Sequence, residues 1–176
     1  MPRLTPMQEI RNKAQALLKD DKLQDPPVRL EAIAKKLGIR IKHEPFEGDI
    51  SGVLYRDPNG TIIGVNSLHH PNRQRFTIAH EIGHFVLHEI DIHVDKGYRV
   101  VLRDSVSSQA VDPLEIDANR FAAELLMPEK MVRRDAAECL EDVEDEAGLQ
   151  ALARKYRVST QAMAYRLSNL GLLAGQ

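Results

Sequence analysis

One cysteine, no tryptophan, four phenylalanines and four tyrosines are all that this 176-residue chain holds of those side chains. A lone Cys139 can close no internal disulfide, and no thiolate-rich metal site can be assembled from this chain alone. A reducing compartment fits that usage, and a cytoplasmic protein is the expectation. The opening residues, Met1 to Arg11, lack the apolar run of a signal peptide, and no later stretch approaches the roughly 18 apolar residues of a membrane span. An excess of one charge is also missing: 24 Lys and Arg stand against 26 Asp and Glu, a net charge of −2. Global attraction to nucleic acid is therefore excluded, and any electrostatic partner surface has to be local. What remains, 43% hydrophobic and 28% charged, is the composition of an ordinary globular chain. Its length suffices for one core, or for a domain of about 130 residues with a small helical appendage.

Hydrophobic spacing places a helix over residues 7–20 and another over 28–37, where Leu30, Ile33, Ala34 and Leu37 recur at helical intervals before Gly38. The period then shortens. Ile39 and Ile41, Val53-Leu54-Tyr55 and Ile62-Ile63-Gly64-Val65 flank Asp57-Pro58-Asn59-Gly60, which predicts a β-hairpin over about 51–66. From Asn72, read as an N-cap, to about Glu89 the pattern is helical again, with Phe76, Ala79, Gly83, Val86 and Leu87 on one buried stripe. A loop-rich stretch is expected over 90–111. Asp112-Pro113-Leu114-Glu115 opens the next helix, which runs to Met127 and stops at Pro128. The acidic residues between 138 and 146 read as a solvated boundary, dividing the chain into 1–137 and 138–176. After it come Leu149, Leu152, Ala153 and Tyr156 on one helix, the staple and cap Val158-Ser159, and Met163, Leu167 and Leu170 on another. Two short helices joined by a tight turn resemble a helix-turn-helix unit.

The chemistry concentrates in His80-Glu81-Ile82-Gly83-His84. Histidines four apart on a helix leave the same face one turn apart and can reach one ion. Glu81 lies beside that direction, placed to take a proton from a water and pass it to a leaving amine. Zinc in such a site acidifies water and polarises a carbonyl, which would make the chain a metal-dependent peptidase. Two histidines and a glutamate decorating an exposed helix face is the alternative, and the apolar flanks Phe76 to Ala79 and Phe85 to Leu87 argue against it.

A catalytic zinc needs a third protein ligand and an open position. His88, Asp91, His93, Glu115, Asp117 and Glu124 are the candidates downstream. Three ligands on successive turns of one helix span about 12 Å, so His88 is cast behind the ligands or as an ordinary polar residue. Glu115 opens a helix whose Ala118 and Ala122 permit close approach to another, yet Asp112 and Glu115 also have capping-box spacing, in which Glu115 would cap its own helix. Spacing leaves both open. A His2Glu set favours zinc, and manganese also accepts such donors.

These residues resemble the ImmA/IrrE metallopeptidases. The resemblance rests on Gly64-Val65-Asn66, on Arg75 through His84 with His88 following, on Glu115 through Ala122, on Leu126-Met127-Pro128, and on the tail from Leu152 to Leu172. It covers roughly residues 28–173. It implies an α+β zincin-like domain, a small sheet packed on the metal-binding helix, with a C-terminal helix-turn-helix-like unit. His80, His84 and Glu115 would be the metal ligands, Glu81 the catalytic acid/base, and Asn119 a structural or supporting residue. It further implies hydrolysis of a peptide bond in a helix-turn-helix transcriptional repressor that governs a stress response, a mobile element or a toxin–antitoxin pair.

The rival class is a regulatory module that contacts DNA or protein and holds only a structural metal. Arg154, Lys155, Arg157 and Arg166 give the tail a positive balance. Four basic residues on a slightly acidic chain argue against DNA binding, and an intact Glu81 favours the enzyme, since a structural zinc needs no general base. Tyr98 reads as packing, Tyr165 as surface, and Cys139, beside acidic residues that raise a thiol pKa, as no nucleophile.

Overall fold

The computed structural model describes residues 4–19, 25–95, 112–140 and 145–173. Tyr98 and residues 141–144, with Glu141, Asp142 and Glu144 of the acidic stretch, lie outside the described residues. In chain order the elements are α1 (Met7–Leu17), α2 (Leu30–Lys36), β1 (Ile39–Glu44), β2 (Gly52–Asp57), β3 (Gly60–Asn66), α3 (Pro71–Leu87), β4 (Ile92–Asp95), α4 (Pro113–Leu126), α5 (Glu129–Cys139), α6 (Glu146–Tyr156) and α7 (Thr160–Asn169). The class is mixed α+β, as expected.

The hairpin forms where the Asp57-to-Gly60 signal put it: Asp57 pairs with Gly60, Leu54 with Ile63 and Gly52 with Val65. β3 also pairs with β1, in parallel, and β2 with β4, giving the order β1-β3-β2-β4. Alternation sends Leu54, Ile63 and Val65 inward, where they are fully buried, against Ile78, Ala79 and Ile82 of α3 and Phe121 and Leu125 of α4. On the opposite face Tyr55, Ile92 and Val94 are exposed.

Two expectations change. The N-cap of α3 is His70, whose Nδ1 accepts from the Asn72 backbone N–H, with Pro71 as the first helical residue. Proline's fixed φ and missing donor suit that position, and they move the start ahead of Asn72. The side chain of Asn72 instead donates to the Val158 carbonyl at 3.0 Å, tying α3 to the turn before α7. The stretch expected to be loop contains β4, a strand too short to show a period.

α6 and α7 meet at a tight turn in which Arg157 adopts the left-handed conformation (φ 54°) and Ser159 caps α7 through the Ala162 N–H. Tyr156, Met163 and Leu167 are fully buried in the same cluster as the sheet and α4. Arg166 is also buried, and its guanidinium binds the Glu124 carboxylate; Lys155 pairs with Asp135 at 3.0 Å. Two of the four basic side chains counted as a tail patch are thus engaged within the fold. Among the described residues no helix is long and apolar enough to cross a membrane.

Candidate metal centre

α3 runs beneath the sheet with every residue from Thr77 to His84 buried. A polar triplet is held in so apolar a place only because three elements meet there. Gly83 makes the meeting close: a Cβ on it would stand 3.1 Å from the Ala118 carbonyl oxygen and 3.2 Å from Phe121. Backbone-to-backbone approach of α3 and α4 lets a residue in the first turn of α4 reach the histidines.

That residue is Glu115. Asp112 does cap α4, but through the Leu114 N–H, while the Glu115 carboxylate turns to the histidines. Its Oε2 lies 3.4 Å from His80 Nε2 and its Oε1 3.3 Å from His84 Nε2; the two Nε2 atoms are 3.0 Å apart. A tetrahedral ion with bonds of about 2.0–2.1 Å has donors about 3.3–3.4 Å apart, close to the separations between these two nitrogens and the two carboxylate oxygens that face them. Two imidazole nitrogens and a carboxylate oxygen converging in this way fit a divalent cation.

His80 Nδ1 donates to Asn119 Oδ1 at 2.9 Å, which directs its Nε2 lone pair into the cluster, and His84 Nδ1 lies 3.1 Å from His88 Nδ1. Burial, with His80 nearby, lowers the His84 pKa to about 4, so this imidazole is neutral, the form that ligates. Burial opposes charge on His80 too, but the hydrogen bond to Glu115 and the Glu81 charge outweigh it and raise its pKa. Burial alone would raise Glu115; hydrogen bonds from His80, His84 and His93 instead hold it well below the usual carboxylate range.

Glu81 is fully buried and not aimed at the converging donors. Burial raises its pKa despite the hydrogen bond from His93. His93 of β4, named in sequence only among several downstream candidates, completes a group of four, with His80, His84 and Glu115, whose donor atoms all lie within 4.8 Å of one another. Its Nδ1 is 3.1 Å from Glu81 Oε2 and its Nε2 2.7 Å from Glu115 Oε1, while its ring stacks on that of His84 with centroids 3.8 Å apart. Both nitrogens face carboxylate oxygens, so both donate; the two bonds overcome burial and raise its pKa to about 10. Alternation along β4 leaves Ile92 and Val94 exposed and turns His93 inward, a pattern that four residues are too few to reveal in the sequence.

The other candidates lie elsewhere. Glu124 is bound by Arg166, Asp117 accepts the Thr5 N–H at 2.7 Å, and Asp91 is exposed. Side-chain exposure climbs from 0–3% at Glu81, His84 and His80 to 16% at His93 and 33% at Glu115, so the cluster opens to solvent between β4 and α4.

The family model of the IrrE N-terminal-like domain, a peptidase family, matches residues 34–168. The radiation response metalloprotease IrrE of Deinococcus radiodurans is 35% identical over 115 residues, 64% of this chain and 32% of that protein. Its namesake from Deinococcus deserti is 34% identical over 119 residues, 64% and 37% of the two chains. The chain thus spans about a third of the length of these curated relatives. Among solved structures, a transcriptional regulator of Mycobacterium tuberculosis superposes with a TM-score of 0.54 at 17% identity over 93% of this chain and 52% of that one, a likeness of fold.

Proposed function

This chain belongs to the IrrE N-terminal-like peptidase family, and from that premise we propose that it is a zinc-dependent endopeptidase whose ligands are His80, His84 and Glu115 and whose general base is Glu81. The observation that carries the reading is the burial of Glu81, fully enclosed beside the convergent donors. A structural metal site has no use for a carboxylate there, whereas hydrolysis has two.

His80, His84 and Glu115 would hold a cation, which would supply polarisation of the scissile carbonyl and acidify a water. Glu81, its pKa raised by burial, takes the water's proton and returns it to the departing amine. His93 holds the Glu81 carboxylate through Nδ1 and the Glu115 carboxylate through Nε2, fixing the base beside the ligand. An extended segment is the fitting substrate, because β4 ends the sheet and no strand among the described residues pairs with its outer edge. The proposed protein substrate is a helix-turn-helix repressor, and manganese is the alternative ion.

One observation favours a second reading. If His93 were a fourth ligand, the site would be closed and the metal structural, leaving a regulatory binding module with a helix-turn-helix-like tail. Its stacking on His84 and its short hydrogen bond to Glu115 support the bridging role instead.

The deciding experiment measures metal content and cleavage of a co-expressed repressor for wild type, Glu115→Ala and Glu81→Gln. About one bound zinc, lost with Glu115→Ala and kept with Glu81→Gln while cleavage falls about 10²–10⁴-fold, is the expected result. Cleavage or signalling by Glu81→Gln at the wild-type level would sink the peptidase reading.

A further inference from the structure

His84 touches the cluster through Nε2, and what stands behind it is another imidazole. His88 caps α3, its backbone N–H bonded to the His84 carbonyl at 3.0 Å, and this brings the two Nδ1 atoms to 3.1 Å. Two facing ring nitrogens make a hydrogen bond only if one carries a proton and the other does not. If His84 Nε2 is a metal ligand it is unprotonated, so the proton of His84 is on Nδ1 and His88 Nδ1 accepts it. The proton of neutral His88 is then on its Nε2.

That Nε2 is buried and has no hydrogen-bond partner among the described residues. Oδ1 of Asp117, on α4 two residues beyond Glu115, is another buried atom in the same condition. Asp117 is 1% exposed, with Oδ2 taking the Thr5 N–H and Oδ1 no nearer than 3.9 Å to the Arg120 guanidinium. Of the charged groups around His88, the Asp117 carboxylate acts on it most strongly. A buried donor and a buried acceptor, each without a partner among the described residues, are the conditions under which an ordered water is retained.

We propose that His88 and Asp117 are the positioning residues of the metal site: His84 Nδ1–H donates to His88 Nδ1, and His88 Nε2–H reaches Asp117 Oδ1 through a single water. This rests on the reading of His84 as a ligand. The chain locks the His84 tautomer, makes Nε2 a better donor and anchors it to the helix that supplies Glu115. His80 is held correspondingly by Asn119, so each histidine of α3 is backed from beyond the cluster, one by an amide and one by a relay. His88 is no ligand itself, since it lies on the far side of His84.

The test is zinc affinity, measured by chelator competition on the full chain for wild type, His84→Ala, His88→Leu, His88→Asn and Asp117→Asn, together with long-range proton–nitrogen NMR of the histidine rings. His88→Leu should weaken zinc about 10–100-fold, Asp117→Asn less, and His88→Asn, which keeps an acceptor near the Nδ1 position, should restore most of the loss. NMR of the zinc-loaded wild type should show the proton on Nδ1 of His84 and on Nε2 of His88, a readout that needs no variant to fold. A His88 proton on Nδ1, or His88→Leu binding zinc as wild type does while His84→Ala does not, overturns the relay and leaves the ligand assignment standing. If His84→Ala binds zinc as tightly as wild type, the ligand assignment falls and the relay with it.

Discussion

The guanidinium of Arg166 on α7 grips both oxygens of Glu124 on α4, at 2.8 and 2.7 Å, with both side chains 5% exposed or less. Its Nε also donates to the Met127 carbonyl at 2.9 Å. The tail helices are thereby bound to the helix that carries Glu115. Arg166→Met leaves a buried carboxylate with, among the described residues, Arg11 at 3.5 Å as its remaining cationic partner, so a loss of about 3–5 kcal/mol is expected in urea unfolding. Adding Glu124→Met should recover much of it, because two apolar side chains replace a desolvated pair at little cost.

Gly83→Ala sets two effects against each other. Alanine is favoured in a helix interior by about 1 kcal/mol, but here its Cβ meets the α4 backbone at 3.1–3.2 Å, and overpacking a core costs about 1–3 kcal/mol. A net loss of stability is expected, together with weaker zinc binding, since any parting of α3 and α4 moves Glu115 from the histidines. Stability lowered with zinc affinity unchanged would show that the helices part without disturbing the site.

Asp135 gives a pH signature remote from the metal. Burial opposes its charge, but hydrogen bonds from Arg134, Lys155 and Tyr156 win and lower its pKa, while burial and the bond to Asp135 raise that of Tyr156. A carboxylate whose folded pKa lies below the unfolded value of about 3.9 contributes stability above that value and loses it as pH falls through the folded one. Asp135→Asn should therefore be less stable than wild type at pH 7 and approach it in acid below about pH 4. Tyr156→Phe, which removes the 2.8 Å bond to a charged acceptor, should cost about 1.5–3 kcal/mol at pH 7.

His93→Ala separates bridge from ligand. As a bridge its loss leaves zinc content near one per chain and lowers kcat with KM little changed, since the general base it positions acts only in the chemical step. As a fourth ligand its loss would deplete the metal as severely as His80→Ala, which elemental analysis of the purified variants decides.

How legible all this was depended on range. His80, Glu81 and His84 follow from helical geometry over five residues, and the hairpin from Asp57-Pro58-Asn59-Gly60, both local patterns that tertiary contacts reinforce. Glu115 was ambiguous because Asp112 and Glu115 carry a capping pattern; only the docking of α4 at Gly83 turns the carboxylate outward to the histidines. His93 stood among six candidates without distinction, since a four-residue strand shows no period and its pairing with β2 is a long-range contact. Arg166 looked like one basic residue of a surface patch, and its burial follows from Glu124, 42 positions away.

The close contact at Gly83 also bears on which ions can be held. With α3 and α4 in backbone contact there, the donor spacings are 3.0–3.4 Å. If this cluster is the proposed zinc site, calcium, with bonds of about 2.3–2.6 Å and six to eight oxygen ligands, is expected to bind more weakly, by radius as well as by donor type. Discrimination against the larger ion would then draw on the packing of the core as well as on the ligands themselves.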